Sequence, residues 1–138
     1  MAIQICVPKE VRKDEQRVAL VPDIVNRLAK AGLSVNIQAG AGELVGYTDQ
    51  DYENATIIPD SAQLLGSADI TLMVNPPTEE QVSQIKEGSI LIGYLHPHSN
   101  VERFSQLSAR KISAFSVEMI PRISRAQAMD ALSSQASI

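Results

Sequence analysis

Ile70-Thr71-Leu72-Met73-Val74-Asn75-Pro76-Pro77-Thr78-Glu79-Glu80-Gln81-Val82-Ser83-Gln84-Ile85-Lys86-Glu87-Gly88-Ser89-Ile90-Leu91-Ile92-Gly93-Tyr94-Leu95 is the stretch whose reading decides the fold. Two apolar runs, Ile70–Val74 and Ile90–Leu95, flank an amphipathic segment with clear ends. The runs are continuous rather than alternating, the pattern of strands covered on both faces. Thr78-Glu79-Glu80-Gln81 has the form of a capping box, and Gly88 ends the helix it opens. Strand, helix, strand at this spacing predicts a βαβ unit with a parallel sheet and a right-handed crossover.

The same alternation extends in both directions. Ile3–Val7, Ser34–Gln38, Thr56–Ile58 and Ile112–Val117 read as further strands. Pro22 suits the first turn of a helix carrying Ile24, Val25, Leu28 and Ala31, which Gly32 stops. Asp60-Ser61-Ala62-Gln63 opens another helix as a second capping box. Ser99 or Asn100 caps a segment with Val101, Phe104 and Leu107 on one side, and Arg110 and Lys111 complement its C-terminal dipole. The expectation is an α/β fold of three layers, α/β/α, with a mostly parallel sheet, doubly wound and of flavodoxin-like type. Residues 1–138 are expected to form a single domain.

Composition agrees. Hydrophobic residues make up 44% and charged residues 20% of 138 positions, ordinary values for a globular domain. A formal net charge of -4 argues against a dedicated nucleic-acid binder. No run approaches the roughly 18 apolar residues of a membrane helix, and because a strand pattern begins at once no signal peptide is expected. The single Cys6 falls in that strand and reads as a small buried hydrophobe; a reducing, cytoplasmic setting is expected.

In open α/β sheets ligands sit beyond the carboxyl ends of the strands. That gathers the loops Pro8–Arg17, Gly40–Thr48, Asn75–Thr78 and His96–Asn100, together with the segment after Glu118. Ala39-Gly40-Ala41-Gly42 lacks the Gly-x-Gly-x-x-Gly spacing of a dinucleotide fingerprint, and no helix pattern opens after it; a tight turn with positive φ is the better reading. His96-Pro97-His98 offers two imidazoles and no evident third ligand, a weak metal signal. His96 is a candidate ligand contact at a strand end, and His98 is expected to be exposed. Within Lys9–Arg17, Arg17 either holds a carboxylate bidentately or pairs with Glu15.

The run Pro121-Arg122-Ile123-Ser124-Arg125-Ala126-Gln127-Ala128-Met129-Asp130-Ala131-Leu132-Ser133-Ser134 is the least generic part of the chain. It permits two readings. Ser124 and Gln127 fit a capping box, with Met129 and Leu132 as the buried face and Arg122 paired to Asp130. Against that, Arg122 and Arg125 lie near the helix start, where the dipole disfavours cations. Gln127, Asp130 and Ser134 share one polar face, as a binding loop would.

These residues resemble those of a known family, the N-terminal domain shared by alanine dehydrogenase and the NAD(H)-binding component of proton-translocating nicotinamide nucleotide transhydrogenase. The likeness runs through Pro8-Lys9-Glu10, Glu15-x-Arg17-Val18-Ala19-Leu20-x-Pro22, Gly40-Ala41-Gly42, Gly46-Tyr47-Thr48-Asp49, Tyr52, Pro76 and His96. The run from Pro121 to Ser134 is similar to the transhydrogenase branch alone. The resemblance implies that Arg122, Gln127 and Asp130 form the loop that closes over the nicotinamide of NAD(H), with Ser133 near its ribose. It implies hydride transfer from NADH to NADP+ by a Re/Si-specific transhydrogenase. NADP(H) would sit on a partner component, with a membrane component completing the enzyme. It further implies a homodimer when intact, and a cytoplasmic position peripheral to the inner or plasma membrane.

Two departures stand out. Alanine dehydrogenases carry a lysine where this chain has Asn75, beside the matches to Arg17 and His96, so oxo-acid binding is expected to be lost. Asn54-Ala55 replaces the shared Ala-Gly. The family's dinucleotide-binding Rossmann domain follows this segment and is absent from residues 1–138, so the chain is expected neither to bind NAD(H) tightly nor to catalyse alone. The alternatives are an alanine dehydrogenase-like oxidoreductase domain and a non-catalytic docking domain.

Overall fold

The computed structural model describes residues 3–119. Six strands and four α-helices alternate along them. They are β1 (Gln4–Val7), α1 (Pro22–Lys30), β2 (Ser34–Gln38), β3 (Thr56–Ile58), α2 (Ser61–Ser67), β4 (Ile70–Leu72), α3 (Glu79–Gln84), β5 (Ile90–Gly93), α4 (Val101–Ala109) and β6 (Ser113–Ser116). The strands form one sheet in the order β3-β2-β1-β4-β5-β6, and every described pairing is parallel.

The α/β, doubly wound expectation therefore holds, with one refinement. The order is the six-strand one of dinucleotide folds rather than the 2-1-3-4-5 order of flavodoxins. The reason lies in the chain between β2 and β3. It makes two short 3₁₀ turns and no α-helix, so β3 adds to the free edge of β2, with Ile37 beside Ile57. Only then does α2 carry the chain across to β4, which pairs with the far side of β1, Ile5 beside Ile70. The topological switch point lies between β1 and β4.

Alternation along the strands sorts the core into layers. Ile5, Val7, Val35 and Ile37 pack with Val25 of α1 and with Val18–Leu20. Cys6 points the other way, onto Leu64 and Ala68; it is free and buried, as expected. Leu65, Val82 and Leu107 of α2, α3 and α4, with Ile85 just after α3, join Met73 and Leu91 in a further cluster. Each such aliphatic side chain contributes about 1.5–3 kcal/mol on full burial. Coverage thins at the edge: Phe115 of β6 is 51% exposed.

The ends follow the expected chemistry, with two shifts. Thr78 and Gln81 close a complete capping box on α3, whereas Asp60 caps α2 alone through the Ala62 N–H. Asn100 precedes α4 but does not cap it; its amide donates instead to the carbonyls of Leu95 and His96 at 3.1 and 3.0 Å. β4 and β5 each stop two residues short of their apolar runs. The N–H groups beyond Met73 and Tyr94 turn to side chains rather than to a neighbouring backbone: those of Val74 and Asn75 to Glu10, that of His96 to Glu118, and that of Leu95 to both Glu118 and the Ser116 hydroxyl.

Candidate functional site

The switch point opens where the loop after β1 leaves for α1 and the loop after β4 leaves for α3. The chain's own carboxylates fill its centre. Glu10 accepts the Val74 N–H at 2.8 Å and the Asn75 N–H at 3.0 Å. Two successive backbone donors aimed at one carboxylate form an anion-binding turn, here occupied from within. Burial pushes the Glu10 carboxyl above its ordinary range, and the hydrogen bonds from Val74 and Asn75 only partly offset this.

Glu15 lies beside it. It accepts from Arg17 Nε at 2.9 Å, Arg17 Nη2 at 3.0 Å and the Arg17 N–H at 2.9 Å. It also accepts from Asn75 Nδ2 at 2.7 Å. The Arg17 hydrogen bonds hold the Glu15 carboxyl down at about 2. Of the two readings open for Arg17, the structure has the pair with Glu15. Asn75, 8% exposed, ties both carboxylates to the end of β4. A surface recess of about 310 Å³ borders this cluster, lined by Arg12, Lys13, Asp14, Glu15 and Asn75.

His96, three residues beyond β5, adopts the left-handed region, φ 48° and ψ 63°. A non-glycine residue there stores strain of order 1–3 kcal/mol unless its surroundings hold it. Glu118 supplies the hold, accepting the N–H groups of Leu95 and His96 at 3.2 and 3.0 Å, while Asn100 grips the carbonyl side. His96 and His98 are both exposed, and the described residues contain no group of three metal-ligating side chains.

The glycine turn after β2 serves packing. Gly40 has φ +80°, as the sequence required, and its N–H donates to Asp49 Oδ1 at 2.9 Å. A Cβ on Gly42 would lie 2.8 Å from the Tyr52 hydroxyl, and that hydroxyl donates to the Leu20 carbonyl. These glycines admit a tyrosine and an aspartate, so the described residues do not fit a dinucleotide's phosphates at this turn.

Arg17, Asn75 and His96 thus gather at the strand ends, as the loops predicted. The roles of Glu10 and Glu118 were missed, since each acts on backbone N–H groups far away in sequence; Glu10 sits in a charged loop, and Glu118 directly follows an apolar run. Arg122, Gln127, Asp130 and Ser133 lie outside the described residues. No described helix is long and apolar enough to cross a membrane.

Sheet order and crevice define a doubly wound α/β domain with its polar groups at the switch point. The family model of the alanine dehydrogenase/PNT N-terminal domain matches residues 6–138, and the chain belongs to that family. NAD(P) transhydrogenase subunit alpha of Haemophilus influenzae is 38% identical over 134 residues, covering 97% of this chain and 26% of that protein. The crystal structure of a transhydrogenase from Sinorhizobium meliloti matches with a TM-score of 0.86 at 35% identity, covering 96% of this chain and 40% of that one. An L-alanine dehydrogenase structure matches at 0.83 with 30% identity, covering 89% and 34%. The motif resemblance and the α/β class are borne out. The chain spans well under half the length of these relatives.

Proposed function

We propose that this chain is the N-terminal part of the NAD(H)-binding component of a transhydrogenase, and that it supplies the loop that closes over the nicotinamide. The likeness to subunit alpha over almost the whole chain supports the branch. One residue favours it over an alanine dehydrogenase: Asn75 stands where alanine dehydrogenases carry a lysine. Its uncharged side-chain amide donates to Glu10 and Glu15. An oxo-acid carboxylate entering here would find an amide already engaged in place of an ammonium.

NADH, when bound, supplies a hydride with its electron pair, and NADP+ on a partner component accepts it. Such a transfer needs no acid or base; it needs close approach and exclusion of water. Gln127 is suited to orient the nicotinamide ribose or carboxamide without adding charge. Arg122 and Asp130 fix the loop, and Ser133 lies at the ribose. The dinucleotide's phosphates are held outside residues 1–138, in keeping with the glycine turn filled by Tyr52 and Asp49. The coupling to proton translocation, the membrane-peripheral position and the dimer belong to the same proposal.

A calorimetric NADH titration tests it, run on residues 1–138 and on a longer polypeptide continuing into the family's dinucleotide-binding domain. Tight binding is expected only from the longer form. In that form Gln127→Ala should lower hydride transfer to NADP+ while NADH affinity stays within a few-fold. Comparable NADH binding by the short chain would overturn the division of labour. Pyruvate-dependent NADH oxidation by the longer form would favour the dehydrogenase reading.

A further inference from the structure

In doubly wound folds with this strand order, the first βα turn is rich in glycine and holds a pyrophosphate on backbone N–H groups at the switch point. Here the loop from β1 to α1, residues 8–21, contains no glycine. It sends a carboxylate across the switch point instead. Glu10 reaches from beyond β1 to the Val74 and Asn75 N–H groups beyond β4, at 2.8 and 3.0 Å. The next strand end repeats the arrangement. Glu118, two residues beyond β6, takes the Leu95 and His96 N–H groups beyond β5 at 3.2 and 3.0 Å. Two successive donors of this kind form a turn that holds an oxyanion, and in both turns the oxyanion is a side chain of the chain itself.

A neutral carbonyl could accept the same N–H groups, yet both positions carry a full charge. Glu118 even keeps its second oxygen, Oε2, buried without a hydrogen-bond partner, which costs rather than stabilises. What a charge adds over a neutral acceptor is repulsion of other anions. The first turn lies within reach of them: Asn75 lines the recess of about 310 Å³ together with Arg12, Lys13, Asp14 and Glu15, and its two cations attract phosphate.

We propose that Glu10 and Glu118 are specificity-determining residues that bar phosphate groups from the ends of β4 and β5. The inference rests on the reading that the nicotinamide end of the dinucleotide enters this crevice. A reduced nicotinamide ring is uncharged and an oxidised one is a cation, so carboxylates refuse neither, whereas they refuse the pyrophosphate and so fix which end of the dinucleotide comes in.

Inorganic phosphate is the probe, titrated at constant ionic strength into the ¹⁵N-labelled chain while the backbone N–H signals of Val74, Asn75, Leu95 and His96 are read. The parent should show no saturable shift at these four. Glu10→Ala should gain saturable shifts at Val74 and Asn75, and Glu118→Ala at Leu95 and His96, each with phosphate affinity at least about tenfold above the parent's. Because phosphate then binds the folded state, the thermal midpoint of each variant should rise with phosphate concentration while the parent's stays level. A variant loosened by loss of its carboxylate should regain the folded spectrum as phosphate is added. Saturable binding to the parent at these N–H groups, folded alanine variants indifferent to phosphate, or loosened variants that phosphate fails to restore would each overturn the proposal. The titration contains no dinucleotide, so its failure is distinct from NADH binding by residues 1–138, which would overturn the reading beneath it.

Discussion

Glu15 is the residue on which the loop after β1 is pinned, because it receives donors from its own loop and from β4. Its carboxyl is held at about 2 against an ordinary 4.5. The folded value lies below the unfolded one, so the stabilisation is present above the ordinary carboxylate range and is lost as pH falls from about 4.5 to about 2. Taken at face value the shift corresponds to about 3 kcal/mol. Arg17, however, is 43% exposed, and solvent screening reduces the contribution to about 1 kcal/mol. Glu15→Gln should therefore lower the unfolding free energy measured in urea at neutral pH by that amount, and the gap to the parent should close near pH 2. A gap independent of pH would mean that Glu15 acts through packing alone. Glu10 runs the other way: burial raises its folded value, so its contribution to stability declines as pH rises through and above the ordinary range.

Among the elements, β5 comes close to the chain just beyond β4. A Cβ on Gly93 would fall onto the Met73 carbonyl oxygen, backbone that cannot swing aside as a side chain can. Met73 already donates its N–H to the Ile92 carbonyl at 3.0 Å, so separating the strands would break the ladder. Gly93→Ala should cost about 1–3 kcal/mol, read as a lowered thermal midpoint, whereas no drop in stability would show that the strands can part there. Local chemistry made most elements legible beforehand: Pro22, Gly32, Thr78 with Gln81, and Gly88 mark their helix ends by rules that act over a few residues. The strand ends were less legible. Met73, Val74, Tyr94 and Leu95 read as strand but lie beyond β4 and β5; the Val74 N–H is taken by Glu10 and the Leu95 N–H by Glu118 and the Ser116 hydroxyl, partners that periodicity does not reveal. The left-handed turn at His96 is likewise invisible, because nothing about histidine asks for positive φ.

For the whole molecule, the parallel sheet was readable from alternation, while the strand order depended on where β3 docks. That choice was decided by a turn-rich connection rather than by any strand's own composition. The order has a consequence for unfolding. β1 pairs on one side with β2 and on the other with β4, 65 residues away at Ile5 and Ile70. β4 and the residue after it serve two layers, with Ile70 and Leu72 packed against the α1-side cluster and Met73, just beyond the strand, inside the α2–α4 cluster. Neither layer can dissolve without stripping the centre strands of the other, so the described residues should unfold as one unit. Tyr47 and Tyr52 stack edge to face at 6.3 Å within the α1-side layer, and the chain has no tryptophan. Tyrosine fluorescence is therefore weighted toward that layer, whereas far-ultraviolet circular dichroism also follows helices α2, α3 and α4. The two urea transitions should coincide in midpoint and slope. If the tyrosine signal were lost at lower urea while helical signal persisted, the layers would be separable and the shared role of β1 and β4 would be wrong.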